Sequence, residues 1–126
     1  MTNSSVTAYQ QAQKLAITPS AAEAATLIRA AGFLDAAKAA VDDHATYAKA
    51  LKFNQTFWTV LQADLTAEGN ELSVELKGEL LSLSLFIDKQ TIKALADPKP
   101  EHLDVLIEIN RNIAQGLRGQ ESLNLD

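Results

Sequence analysis

Residues 73–100 read SVELKGELLSLSLFIDKQTIKALADPKP. The run Leu80–Ile87 within it is the most apolar stretch of the chain. It is far shorter than the roughly 20 apolar residues a bilayer span needs. Lys77, Glu79, Asp88 and Lys89 surround it. The stretch therefore reads as a helix of a folded core or as a partner surface, and no membrane insertion is expected. Around a helical wheel its apolar residues cover a wide arc. Leu76, Leu80 and Leu83 fall on one side, and Leu81, Leu85 and Ile92 fall towards another. A helix apolar nearly all round is central to its fold or meets something else. Asp97-Pro98-Lys99-Pro100 stops it, because proline lacks the N–H a helix interior needs.

Outward from this helix the same 3.6-residue period recurs on both sides. On the C-terminal side a helix starts near Pro100-Glu101 and is expected to run to about Leu117, with Gly116 and Gly119 as candidate terminators. On the N-terminal side, Glu68-Gly69-Asn70 marks a turn. The helix before it begins at Asp42-Asp43, where carboxylates meet the positive end of the helix dipole, and reaches about Thr66. Its main apolar residues are Leu51, Phe57, Trp58, Leu61 and Leu65. A further helix spans about 19–40. Pro19 suits its first turn and Ser20-Ala21-Ala22-Glu23 matches a capping box. Gly32 within it marks either a close contact or a bend. A short N-terminal helix is read over 6–17.

No strand-like alternation, internal repeat or low-complexity linker interrupts this pattern. The expected fold is all-α: an up-and-down helical bundle of four long helices plus the short N-terminal one. Residues 1–119 make a single helical domain, and 120–126 are expected to form a frayed tail. The 126 residues, 47% apolar, suffice for one core.

Composition narrows function. The net charge is −5 and the Lys and Arg residues are scattered, which disfavours direct nucleic-acid binding. Without cysteine there is no thiol nucleophile, Cys-ligated zinc or disulfide. No basic n-region followed by a long apolar stretch opens the chain, so a cytoplasmic location is expected. His44 and His102 lie far apart, and no Glu-x-x-His, phosphate-cradling glycine loop or Gly-x-Ser-x-Gly elbow occurs. No catalytic residue, cofactor or metal is assigned. His44, beside Asp42 and Asp43, reads as a solvated helix-start residue, with a pH switch as the sharper alternative. Glu71, Glu75 and Glu79 form a ridge at i, i+4, i+8 that is either a solvated face or a steering surface for a basic partner.

Two asparagines break apolar stripes. Asn54 shares a face with Leu51, Trp58 and Leu61, and Asn110 one with Leu103, Leu106, Ile107, Ile113 and Leu117. A buried amide left without partners costs about 1–3 kcal/mol. A bond between Asn54 and Asn110, or from one of them to a helix end, would fix helix register. Recognition of a partner's backbone is the other reading. Trp58 reads as structural.

Spaced motifs from Tyr9 to Gly119 carry a resemblance. Ala50-Leu51-Lys52-Phe53-Asn54-Gln55-Thr56-Phe57-Trp58 is similar to an AL-x-x-Asn-x-x-x-Trp helix. Asn70-Glu71-Leu72-Ser73 is similar to an Asn-x-Leu-Pro turn, with Ser73 in place of the usual proline. Leu81-Ser82-Leu83 opens a Leu-Ser-Leu segment in which Phe86 stands where tryptophan is common. Leu106–Asn110 and Gly116–Gly119 match a C-terminal signature. The set resembles the FlaF family of flagellar regulators. The resemblance implies a protein that binds flagellin in the cytoplasm, promotes its production and secretion, and acts opposite a partner regulator, FlbT. An adaptor working through FlbT or the translation machinery is the alternative. Combined with the wide apolar arc, it makes Phe57, Leu80, Leu81, Leu83, Leu85 and Phe86 the candidate partner-binding residues.

Overall fold

The computed structural model describes residues 19–125. Four helices follow one another: α1 (Pro19–Ala39), α2 (His44–Thr66), α3 (Val74–Ala96) and α4 (Glu101–Leu125). The expected helix over 6–17 lies outside the described residues. The helices form a ring in which each packs on its two neighbours, with the α1–α4 pair the most extensive. This is the all-α bundle expected from the period and the breaks.

Local chemistry sets the ends. Asp43 caps α2: its carboxylate accepts from the Thr46 backbone N–H at 3.2 Å and from the Thr46 hydroxyl at 2.7 Å. These bonds hold its carboxyl below the ordinary aspartate range. Gly69 adopts φ +85°, the left-handed region that glycine enters without steric cost. Asn70 completes that corner. Its amide donates to the Asp64 carbonyl at 3.0 Å, its side-chain oxygen accepts from Leu72 N–H at 3.0 Å, and its own carbonyl accepts from Lys77 Nζ at 3.0 Å. Ser73 then caps α3 through Leu76 N–H at 3.1 Å. At the far end, Tyr47 of α2 ties down the α3–α4 corner. Its buried hydroxyl lies 3.1 Å from the Ala94 carbonyl and 3.3 Å from the Lys99 carbonyl, and accepts from Lys99 N–H at 3.2 Å.

Three expectations at this level change. α1 begins at Pro19, so Ser20 is already inside the helix and the capping-box positions are not those of Ser20 and Glu23. Gly32 sits on the exposed side of an uninterrupted α1, and a methyl group added there meets nothing within 4 Å; it marks neither a bend nor a close contact. α4 runs through Gly116 and Gly119 to Leu125, where a stop near Leu117 was expected. A glycine costs a helix interior only about 1 kcal/mol, which does not end a helix whose other residues favour it.

The core draws on all four helices: Leu27, Leu34, Leu51, Trp58, Leu80, Ile87, Leu103 and Leu106 are among its buried side chains. Alanines 24, 31 and 37 bring the α1 backbone close to its neighbours, and Lys38 closes that pairing with an ion pair to Asp104 of α4 at 2.5 Å. The α3 share is unusual. It buries Leu80, Ser84, Ile87, Thr91 and Ala94, a face with only two large aliphatic residues.

Candidate functional site

Since α3 turns Ser84, Thr91 and Ala94 inward beside Leu80 and Ile87, several of its large residues are left outside. Leu85 is 62% exposed and Ile92 64%, and Val74 and Leu95 are also exposed. At 100° per residue these fall with half-buried Leu81 on one side of the helix. That side overhangs a groove of about 590 Å³ between α2 and α3. Leu81, Ser84, Leu85 and Asp88 form its α3 wall, and Thr59, Gln62, Ala63 and Thr66 its α2 wall. At the groove floor Gln62 donates to the buried Ser84 hydroxyl. The floor is therefore polar and satisfied, while the upper rim is aliphatic and open.

The six candidate partner residues do not share one face. Leu80 is only 1% exposed and belongs to the core, so it presents nothing to a partner. Leu81 and Leu83 are half-buried against the core. Leu81 and Leu85 face the α2/α3 groove. Leu83 shares a flank with Gln90, whose amide donates to the His102 carbonyl of α4 at 2.9 Å. Phe86 is 42% exposed on that same flank, beside exposed Glu79 and away from the Leu81/Leu85 side. Phe57 is half-buried on the α1 side of α2, its ring edge-on to Trp58 with centroids 6.1 Å apart. Glu71 precedes α3, so only Glu75 and Glu79 form a helical acidic pair. Val74 and Leu95 were missed by the sequence reading, and Ile92 was noticed only as part of the arc. The available signal was a spacing: Leu81, Leu85, Ile92 and Leu95 repeat one residue behind the buried set.

Asn54 and Asn110 do meet, across the core between the diagonal helices α2 and α4. Trp58 Nε1 donates to Asn110 Oδ1 at 3.0 Å, and Asn110 Nδ2 donates to Asn54 Oδ1 at 2.6 Å. All three residues are fully buried. They hold register and face no groove.

A second groove separates α1 from α2. Phe33 and Phe53 stack edge to face with centroids 5.0 Å apart, and the Arg29 guanidinium carbon lies 5.9 and 5.8 Å from the two rings. Together with Ala36, Thr46, Lys49 and Ala50 these phenylalanines line about 360 Å³. Further along, Glu23 and Asp64 share a smaller pocket with Phe57, Val60 and Leu61. Burial first, and the Asp64 carboxylate second, push the Glu23 carboxyl up to about 7. Nothing local in sequence signals this, since Asp64 reaches Glu23 only through the fold.

Among the described residues no cluster of three or more His, Asp or Glu could hold a metal ion, and no helix is long and apolar enough to cross a membrane. His44 is exposed at the start of α2, and His102 Nδ1 sits 2.8 Å from the Asp97 carbonyl.

The described residues thus form a four-helix bundle with one groove between α2 and α3 and another between α1 and α2. The chain matches the family model described as Flagellar protein FlaF over residues 5–117, and it belongs to that family. No curated protein and no solved structure matches it.

Proposed function

We propose that this protein binds flagellin in the cytoplasm, as a chaperone and regulator that promotes flagellin synthesis and secretion for flagellum assembly. Family membership supplies the flagellar context. The observation that carries the binding role is the inverted α3, which buries Ser84 and Thr91 and exposes Leu85 and Ile92. Exposed aliphatic residues aligned on one helix are the hallmark of a surface that is covered in use. An amphipathic segment laid there would bury its own apolar face with them. Full burial of two such side chains is worth roughly 3–5 kcal/mol before the cost of ordering the partner. Covering assembly-prone segments until export is the chaperone's task in this reading.

The test is co-elution of purified protein with flagellin on size exclusion, wild type against Leu85→Asp/Ile92→Asp. Both sites are exposed, so circular dichroism and melting should be unchanged. Wild type is expected to co-elute and the double variant to elute free. Equal co-elution of both moves the binding site off this face. No co-elution of wild type removes the flagellin reading, and a mixture with FlbT then tests the adaptor role.

A further inference from the structure

Helix α3 carries two seams of identical spacing. Leu80, Ser84, Ile87, Thr91 and Ala94 follow a 4-3-4-3 repeat and face the core. Leu81, Leu85, Asp88, Ile92 and Leu95 follow the same repeat one residue later. One residue is 100° of helix, so the second seam lies round the side of α3: Leu81, Leu85 and Asp88 line the α2/α3 groove, and Ile92 and Leu95 continue the same line along α3 beyond it. A 4-3 repeat is the spacing at which a neighbouring helix meshes knobs into holes. The α2 wall is built for close approach: Thr59, Ala63 and Thr66 are small. Thus, among the described residues, the groove has the periodicity of a bundle interface with no helix laid in it.

Asp88 stands at the centre of this seam, between Leu85 and Ile92. It is half-buried, and among the described residues it makes no ion pair. A charge at a central seam position selects both register and partner. It also argues against a second copy of this chain. Two α3 helices packed antiparallel about the middle of the seam would bring their Asp88 carboxylates together, and like charges in a partly desolvated interface repel.

We propose that the α2/α3 groove takes a single amphipathic helix of another protein, laid in coiled-coil register along Leu81, Leu85, Ile92 and Leu95, with a lysine or arginine opposite Asp88. This rests on the partner-binding reading above and specifies the chemistry of the partner. The acidic central residue rejects helices whose seam is apolar throughout or acidic at that point.

The test uses the full isotope-labelled chain and two synthetic helical peptides. Both carry leucines on a 4-3-4-3 spacing; one has lysine in mid-seam and the other glutamate. The lysine peptide is expected to shift the Leu85 and Ile92 amide resonances and to bind about tenfold tighter than the glutamate peptide. In Asp88→Lys the preference is expected to reverse. Absence of binding by either peptide, equal affinity for both, or an unchanged preference in Asp88→Lys overturns the proposal. So does a dimer in light scattering whose interface contains Leu85 and Ile92. Deletion of residues 1–18 that by itself shifts those two resonances would identify the chain's own N-terminal segment as the occupant, and would also overturn it. Flagellin is a separate arm. If the lysine preference holds and flagellin does not bind, the proposed function falls and the helix-docking site stands.

Discussion

Asn110 accepts from Trp58 Nε1 at 3.0 Å and donates to Asn54 Oδ1 at 2.6 Å, so it is the middle link of a buried chain that runs in one direction. The direction is not arbitrary. An indole N–H only donates, which fixes the oxygen of Asn110 toward it and the nitrogen toward Asn54. The chain ends on Asn54 Nδ2, which has no hydrogen-bond partner.

That polarity predicts unequal costs. Asn110→Ala strips partners from both Trp58 Nε1 and Asn54 Oδ1, in addition to the amide nitrogen already unpaired. Asn54→Ala removes that unpaired nitrogen and leaves only Asn110 Nδ2 without an acceptor. Each buried group left unpaired costs about 1–3 kcal/mol, and Asn110→Ala leaves two more of them than Asn54→Ala, so it is expected to be the more destabilising by about 2–6 kcal/mol. Urea unfolding of the two variants measures it. Equal losses would show that the amides contribute through packing volume alone.

The two ends of the glycine scale give a second prediction. Gly32 is exposed in mid-helix with open space around it, so Gly32→Ala should stabilise by about 0.5–1 kcal/mol. Gly69 also has open space, but its φ is +85°. Gly69→Ala should therefore destabilise by about 1 kcal/mol through backbone strain alone. Opposite shifts in thermal midpoint are expected, and shifts of the same sign would contradict the argument.

Glu23 supplies a pH dependence. Its carboxyl rises from 4.5 to about 7 in the fold, because burial and Asp64 disfavour the charged form. The folded chain then holds this proton more tightly than the unfolded one. Its contribution is fully present below pH 4.5 and is lost as pH rises through about 7. Glu23→Gln keeps the neutral form at every pH. It should be more stable than wild type at pH 8 by about 1 kcal/mol, discounted for partial exposure, and indistinguishable from it near pH 4.5. Thermal melts at the two pH values decide this, and a constant offset at both would rule out Glu23 titration as the cause.

Elements whose cause is local were legible in the sequence. The helix start at Asp42-Asp43, the Gly69-Asn70 corner and the proline break after Asp97 each follow from a few adjacent residues. That Asn54 and Asn110 each need a partner was legible, because a polar residue in an apolar stripe demands one, but that they bond to each other was only one of the open readings. The orientation of α3 was not. Leucine content alone would place Leu81 and Leu85 as readily inward as Leu80, and only the ring of neighbours selects the seam containing Ser84 and Thr91. There the Ser84 hydroxyl receives Gln62, and Thr91 bonds back to the Ile87 carbonyl at 2.7 Å. Leu80 was misplaced on the partner surface for that reason, and Leu95 was overlooked.

Ser73 tests how the turn before α3 tolerates change. The family's turn has proline at this place, and Ser73 holds φ −62° and ψ 153°, a conformation proline adopts without strain. Its carbonyl accepts from Lys77 N–H at 2.9 Å, a bond proline retains. Only the cap from its hydroxyl to Leu76 N–H would be lost. Ser73→Ala forfeits the cap and gains nothing, so it should cost about 1 kcal/mol. Ser73→Pro forfeits the same bond but restricts the unfolded chain, which returns about 0.4–1 kcal/mol. The expected order of urea midpoints is wild type, then Ser73→Pro close behind, then Ser73→Ala. A proline variant less stable than the alanine one would mean that the approach to α3 needs the serine backbone N–H, and that this turn differs from the family's in more than its cap.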